Sequence, residues 1–566
     1  MKTNRWAVLA AVVSVALVVL VNARMASAAT IPVLWTDEVG YLANAQVLAG
    51  VGEPRDLAGR SYYVGWSILL APLWWMTNDL ELIYRFSVVL SAIFGIALVW
   101  PLALIARRFA LSWPWSIVVA SVVAVAPSHA VMSTFALSEN LVTFLLAFTV
   151  VAALRFQRRA TPWSAVLLGL SAAAVFIAHG RMIPVLIAAA LHLLVSIRAH
   201  ARASIIGLIA LGVTAVGGFL VYRAVTALMY AASLDREASA LERIFGSSPG
   251  AVATAAAGQV WYELVAWGGV TVLGGILISR AALREIRARR PGAATFGLIA
   301  LAGAIAVSST WLARVIDAGR ERLDVLAYGR YLEPYGVVLA MLGIILILRR
   351  PSVRVVWVAV GTALATSAVF AAFVAPQARL DGVRFWGPTG VPGMLQWPWP
   401  HVTAAQGPPW LLAGSAALVV LALVILLRRW RAVVVGGLLA VFAVSSILAK
   451  ENTLDPYFAT FRGAFTLRTE LAQYPDATLA FDLAGTAGDT VSRNAYQYWG
   501  AVRPVDVFDS RTADVPNVDF VIARRDWPVA DEEGARKLAD DAGFDNAIWV
   551  LPGPLMRQLE LSGDLR

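Results

Sequence analysis

Along the first 449 residues, long apolar runs alternate with short polar joints. A helix needs roughly 20 apolar residues to cross the hydrocarbon layer. On that measure the pattern predicts spans near 7–24, 82–105, 113–130, 139–154, 163–179, 182–197, 204–226, 259–279, 294–312, 334–348, 354–374, 409–427 and 432–448, about thirteen transmembrane helices. The run 62–76 (YYVGWSILLAPLWWM) is apolar but short and rich in Trp, and reads as interfacial or re-entrant. Beyond about Lys450 the period changes. Strand-like runs at 478–483, 504–509, 518–524 and 546–551 alternate with helix-like runs at 489–499 and 531–542, which predicts a small α/β domain. The expected organisation is a polytopic α-helical membrane domain over 1–449 followed by an α/β domain over 450–566. AGTAGD at 484–489 lacks the spacing of a dinucleotide fingerprint, and no solenoid-type repeat is present.

Charge orients these elements. Only 14% of residues are charged, against about 25% in soluble domains, and the mean hydropathy is +0.71. The formal net charge of +10 does not signal nucleic acid, because the basic residues sit in every second joint. They are Lys2 and Arg5, Arg107 and Arg108, Arg155 to Arg159, Arg198 and Arg202, Arg280 to Arg290, Arg349 to Arg354, and Arg428 to Arg431. The positive-inside rule makes those joints cytoplasmic. The alternate joints carry most of the acids, Asp37 and Glu38, Glu139, Asp235 to Glu242, Asp317 to Glu333, and Asp381, and are expected outside. An odd number of spans then places the C-terminal α/β domain outside the cytoplasmic (inner) membrane. Residues 1–28 carry a basic start, an apolar stretch and Ala26-Ser27-Ala28; they read as an uncleaved anchor, with a cleaved signal peptide as the alternative. Residue 37 is outside on either reading. With no Cys, a disulfide framework and Cys-ligated zinc are excluded.

The outer joints hold the chemistry. In WTDEVGYLANAQVLAG (35–50), Tyr41, Leu42, Ala45 and Leu48 follow Asp37 and Glu38 at helical spacing, so the stretch predicts a short helix opening on two acids. Thr36 or Asp37 capping that helix is one account of them. Arg85 in IYRF, His129 in APSH, Glu139 in SEN, His179 and Arg181 at a turn, and Arg330 with Tyr331 in GRYLEP (329–334) lie on the same side. Arg330 and Arg85 also suit snorkelling anchors, and Glu139 suits a helix N-terminus. Arg320 and Arg322 are expected to be solvated. The loop 384–410, dense in Trp and Pro, suits either an interfacial anchor or a sugar-stacking surface.

Taken in order, DEVGY, IYRF, APSH, SEN and GRYLEP resemble the glycosyltransferase C class, multispan enzymes that take a sugar from a polyprenyl-phosphate carrier. Protein O-mannosyltransferases, lipid A aminoarabinose transferases and arabinofuranosyltransferases belong to it. The resemblance covers most of residues 30–200 and a patch near 330. It implies that Asp37, with Glu38 beside it, is the catalytic base. Arg330, Tyr331, Arg85 and Arg181 are then the expected phosphate and donor contacts, and Glu139, His129 and Tyr41 the expected substrate or metal contacts. A carboxylate suits removal of a hydroxyl proton, and arginine suits a departing phosphate. The transition state is oxocarbenium-like. One His and one Glu make a thin metal site, so Mg²⁺ or Mn²⁺ is left open as a cofactor. The implied activity is inverting transfer of an arabinofuranosyl or mannosyl unit to a cell-envelope glycan, lipid or protein. A secondary transporter or a flippase for lipid-linked sugars is the competing reading. A transporter would place ionisable groups near mid-membrane.

Overall fold

The computed structural model describes residues 5–34, 36–51, 61–229, 246–319, 322–378, 387–397, 409–464, 466–484, 494, 496, 498, 505–541 and 545–565. The acidic stretch Asp235 to Glu242, Arg320, Asp381, residues 384–386 and 398–408 of the Trp- and Pro-rich loop, and most of 485–499 lie outside the described residues. The chain divides into two compact units. One comprises Met1–Ala29, Ser87–Leu220 and Glu237–Asp455; the other comprises Thr30–Phe86, Val221–Arg236 and Pro456–Arg566.

This is a multi-pass membrane protein. Among the described residues, seven helices are long and apolar enough to cross a membrane: Arg5–Ala26, Leu80–Arg108, Glu139–Arg158, Gly180–Met229, Ala293–Asp317, Val353–Gln377 and Arg431–Phe461. Two bent pairs raise the number to nine if each is one span. Three of the thirteen expected spans appear as shorter apolar helices, Pro162–Ala178, Glu333–Leu348 and Trp410–Leu426. At 1.5 Å per residue these reach about 25 Å, short of the roughly 30 Å hydrocarbon core. The expected spans 182–197 and 204–226 appear as two helices within Ile183–Met229, separated by a kink where His200 leaves helical geometry (φ −142°, ψ 51°).

The expected span 259–279 is corrected. It contains a 114° break between the helices Pro249–Ala266 and Val270–Arg287. Hydropathy runs on through that point, but Gly268 and Gly269 adopt positive φ of 56° and 77°. That left-handed conformation is open to Gly and ends a right-handed helix. After the turn, Val270–Arg287 packs against Glu333–Leu348 through two glycines. A Cβ on Gly274 would overlap the Leu339 carbonyl, and one on Gly343 would overlap the Val270 carbonyl. Such close backbone approach is what small residues permit between membrane helices. A buried polar network fixes the start of Glu139–Arg158. Asn140 donates to Ser133 and to the Ser91 carbonyl (both 3.0 Å), and Ser133 donates to Asn22 at 2.7 Å.

In the second unit the run expected to be interfacial or re-entrant forms the 12-residue helix Gly65–Met76. Its Trp74 meets Tyr498 edge-on at 6.4 Å. The C-terminal segment forms a five-stranded sheet from β1 (Leu479–Asp482), β2 (Asp506–Phe508), β3 (Phe520–Arg524), β4 (Arg536–Asp540) and β5 (Asn546–Val550), in the order β2-β1-β3-β5-β4. The pairs β1–β2 and β1–β3 are parallel; β3–β5 and β4–β5 are antiparallel. Ala480, Val521, Ala523, Trp527 and Leu551 form a core cluster. Asp482, fully buried, accepts from Trp527 Nε1 and the Ser510 hydroxyl at 2.7 and 2.6 Å. The helix-like run 531–542 is corrected to a turn and the strand β4. Gly534 at φ 63° breaks any helix there, and pairing with β5 outweighs the local helix propensity.

Candidate functional site

In the second unit the helix Asp37–Leu48 opens on the two expected acids, and the fold separates them. Glu38 is fully buried. Its Oε2 accepts from the Val33 and Leu34 amides at 3.0 and 2.9 Å, and its Oε1 accepts from Tyr84 Oη at 2.9 Å. These donors make Glu38 the fastener of the chain entering the helix. Asp37 is only partly buried; its Oδ1 accepts from Tyr62 Oη at 2.7 Å and from the Thr36 hydroxyl at 3.4 Å. The Thr36 side chain makes no capping bond. Tyr62 is held for this contact. Asn44 donates to its carbonyl at 2.9 Å, and Gly40 leaves the space its ring occupies, where any Cβ would collide. Tyr41 is buried, its ring 5.1 Å from that of Tyr62 and its carbonyl accepting from Ser67. It packs the helix down. Arg85 is exposed and pairs with Glu81, one turn earlier, at 2.7 Å.

The other expected residues lie in the first unit. Glu139, the first residue of Glu139–Arg158, forms a buried ion pair with Arg330, whose Nε lies 2.5 Å from Oε1. The guanidinium of Arg181 stacks 3.6 Å above the Tyr331 ring and 5.2 Å from Trp311. Among the described residues it meets no carboxylate, and its Nε is buried without a hydrogen-bond partner. Burial raises the Tyr331 phenol above its usual range, against the pull of Arg181, so it stays a neutral donor. Each polar position of GRYLEP thus has a task. Gly329 makes room for the Tyr262 ring, Arg330 binds Glu139, Tyr331 carries Arg181, and Glu333 accepts from the Tyr262 hydroxyl.

Some expectations change. Arg322 is not a solvated side chain; it clamps the fully buried Asp324 through Nε and Nη2 at 2.9 and 2.7 Å. The acid at 324, two residues on, was the missed signal. The described part of the Trp- and Pro-rich loop is buried rather than free. The Gly390 carbonyl accepts from the Gly329 amide at 2.7 Å, and the Gly393 amide donates to Tyr262 Oη at 2.8 Å. Trp410 packs against Phe370 at 4.9 Å. His129 is buried against the Gly95 carbonyl, 3.2 Å from Nε2, and Glu139 pairs with Arg330 through Oε1. Among the described residues no group of three His, Asp or Glu side chains gathers to hold an ion.

No family model matches the chain, and no curated protein matches it. Solved structures do. ArnT from Cupriavidus metallidurans bound to undecaprenyl phosphate superposes with a TM-score of 0.51 at 16% identity, over 96% of this chain and 98% of that one. The apo state of the same protein gives 0.50 at 15% identity, over 97% and 99%. The archaeal oligosaccharyltransferase AglB from Archaeoglobus fulgidus, in complex with an inhibitory peptide and a dolichol-phosphate, gives 0.43 at 12% identity, over 96% and 74%. At these identities the ArnT likeness shows the fold alone: this chain shares the multi-helix fold of ArnT.

Proposed function

We propose that this protein transfers a sugar from a polyprenyl-phosphate carrier to an acceptor hydroxyl outside the cytoplasmic membrane, with inversion. The observation that carries the reading is the division of labour between Asp37 and Glu38. One carboxylate is immobilised by buried donors, and its neighbour is partly open, oriented by a tyrosine hydroxyl. A helix that needed only a cap would not require a second acid held in that way. Asp37 then takes the acceptor proton as the acceptor oxygen attacks the anomeric carbon and the carrier phosphate leaves. In the first unit Arg181, which meets no carboxylate among the described residues, is the cation for that phosphate, and Arg330 is fixed by Glu139 as a second. A guanidinium fork matches a phosphate geometrically. Support also comes from the full-length likeness to ArnT, a protein solved with undecaprenyl phosphate.

The test is to incubate the purified chain in lipid with a panel of polyprenyl-phosphate sugars, arabinofuranosyl and mannosyl donors first, and to follow the donor by mass spectrometry. Consumption by the wild type and not by Asp37→Asn supports the reading. Movement of an intact donor across the bilayer without consumption replaces it with a flippase. Orientation is read independently. A Cys at Thr512, an exposed position in a chain without Cys, should react with an impermeant thiol reagent in intact cells.

A further inference from the structure

In the first unit a groove of about 240 Å³ runs between the helices Glu139–Arg158, Val270–Arg287, Ala293–Asp317 and Glu333–Leu348. Its walls are hydrocarbon, with Leu146, Val150, Ile278 and Leu342 facing one another and Gly297 keeping it open. Lining residues extend from Tyr335 to Arg349, about 21 Å at 1.5 Å per residue. Two cations, Arg284 and Arg349, stand in the lining at the arginine-rich ends of these helices. Arg284 donates to the Arg280 carbonyl at 3.3 Å, and Arg349 donates to the Phe109 carbonyl at 2.7 Å with its guanidinium 5.4 Å from the Phe109 ring. Neither meets a carboxylate among the described residues. The acid next in sequence, Glu285, is engaged elsewhere: it accepts from the Gly292 and Thr295 amides, at 3.0 and 2.8 Å, and from the Thr295 hydroxyl at 2.8 Å. It caps the following helix and leaves Arg284 unneutralised.

We propose that this groove binds an acidic glycerophospholipid, one acyl chain along its floor and the phosphodiester between Arg284 and Arg349. Two cations without a carboxylate partner among the described residues, at one end of a slot that is otherwise apolar, match a phosphate carried on a hydrocarbon chain. Basic pockets between membrane helices take acidic headgroups for this reason. Length selects the occupant. One leaflet of hydrocarbon is about 15 Å deep, so a single acyl chain entering at the arginines fills most of the groove, whereas a long polyprenyl chain does not fit within it. The site is separate from Arg181 and Arg330, and the inference does not depend on the proposed transfer.

The experiment uses the full-length protein, delipidated in detergent and mixed with phosphatidylglycerol, phosphatidylcholine or polyprenyl phosphate, with bound lipids counted by native mass spectrometry. Wild type should retain phosphatidylglycerol in preference to phosphatidylcholine. In the double variant R284Q/R349Q retention should weaken about 30-fold, two cations at the ~1 kcal/mol each that a basic side chain contributes beside acidic lipid. The variant R155Q/R158Q removes the same charge from exposed positions outside the groove and should bind as wild type does. Gly297→Leu, which keeps both arginines and obstructs the slot, should also lose the lipid, and it stands in if the double variant does not fold. Equal retention by wild type and these variants, equal binding of phosphatidylcholine, or preferential retention of polyprenyl phosphate each overturns the proposal.

Discussion

The helix Asp37–Leu48 in one unit and the helix Glu139–Arg158 in the other each carry a buried acid in the first turn, Glu38 and Glu139. Glu38 is satisfied by neutral donors, two amides and a phenol, and needs no cation. Glu139 pairs through Oε1 with the guanidinium of Arg330, brought from 191 residues away, and its Oε2 is buried without a hydrogen-bond partner among the described residues. Burying a carboxylate is costly without such partners, and the choice of partner decides what else the acid does. Neutral donors let Glu38 fasten a loop, while its neighbour Asp37 is oriented by the Tyr62 hydroxyl. The charged partner makes Glu139 a positioning residue for Arg330. An acid in the first turn of a helix therefore carries no fixed role.

The largest effect is expected at Asp37. Asp37→Asn keeps the first-turn geometry and a side chain that can accept from Tyr62, but an amide cannot take a proton. Transfer at matched folded concentration should fall roughly 10²–10⁴-fold, the range for losing a general base, with yield unchanged. Near-wild-type turnover would return the motif to a helix start. Glu38→Ala should act through folding instead. Each donor left buried without an acceptor costs about 1–3 kcal/mol, so melting temperature and membrane yield should drop before any rate can be read.

The Glu139–Arg330 side of the comparison is broken by removing one partner. Arg330→Ala leaves a buried carboxylate unpaired and should lower stability by about 3–5 kcal/mol. The double variant E139Q/R330Q should recover part of that loss. Normal stability of Arg330→Ala, with donor use lost, would make Arg330 a phosphate ligand alone. Arg181→Ala sharpens the point, because no ion pair among the described residues is broken. Donor turnover should fall by about 2–4 kcal/mol in transition-state stabilisation, with little change in melting. Arg85→Ala should matter least. Its pair with Glu81 is exposed, and such pairs contribute roughly 0–1 kcal/mol. A loss of transfer at Arg85 comparable to that at Arg181 would relocate the phosphate contact.

Much of the site could be read from residue order alone. DEVGY, SEN and GRYLEP stand out because charge beside apolar runs is rare, and the structure gives each a defined set of partners. Tyr62, Tyr84 and Asn44 could not be found in that way. They occur in ordinary apolar or polar settings, and their roles arise from contacts across 18 to 46 residues. The Asp324 clamp on Arg322 is local, two residues apart, but the burial of its acid comes from the fold.

The sequence by itself determined that this is a helical membrane protein with strand-forming runs after about Lys450, and which joints carry the acids and which the arginines. Those properties follow from local quantities: hydropathy summed over a window, side-chain period, and the sign of charge. Tertiary structure alone decided where apolar runs stop being straight, as at the left-handed Gly268 and Gly269, and that residues 531–542 hold a strand in place of a helix. It alone decided that Glu38 is fully buried among backbone and phenol donors and that its neighbour Asp37 is only partly buried against Tyr62. Those outcomes depend on which distant group arrives beside a residue, and burial makes such a partnership energetically decisive while leaving no trace in the local pattern.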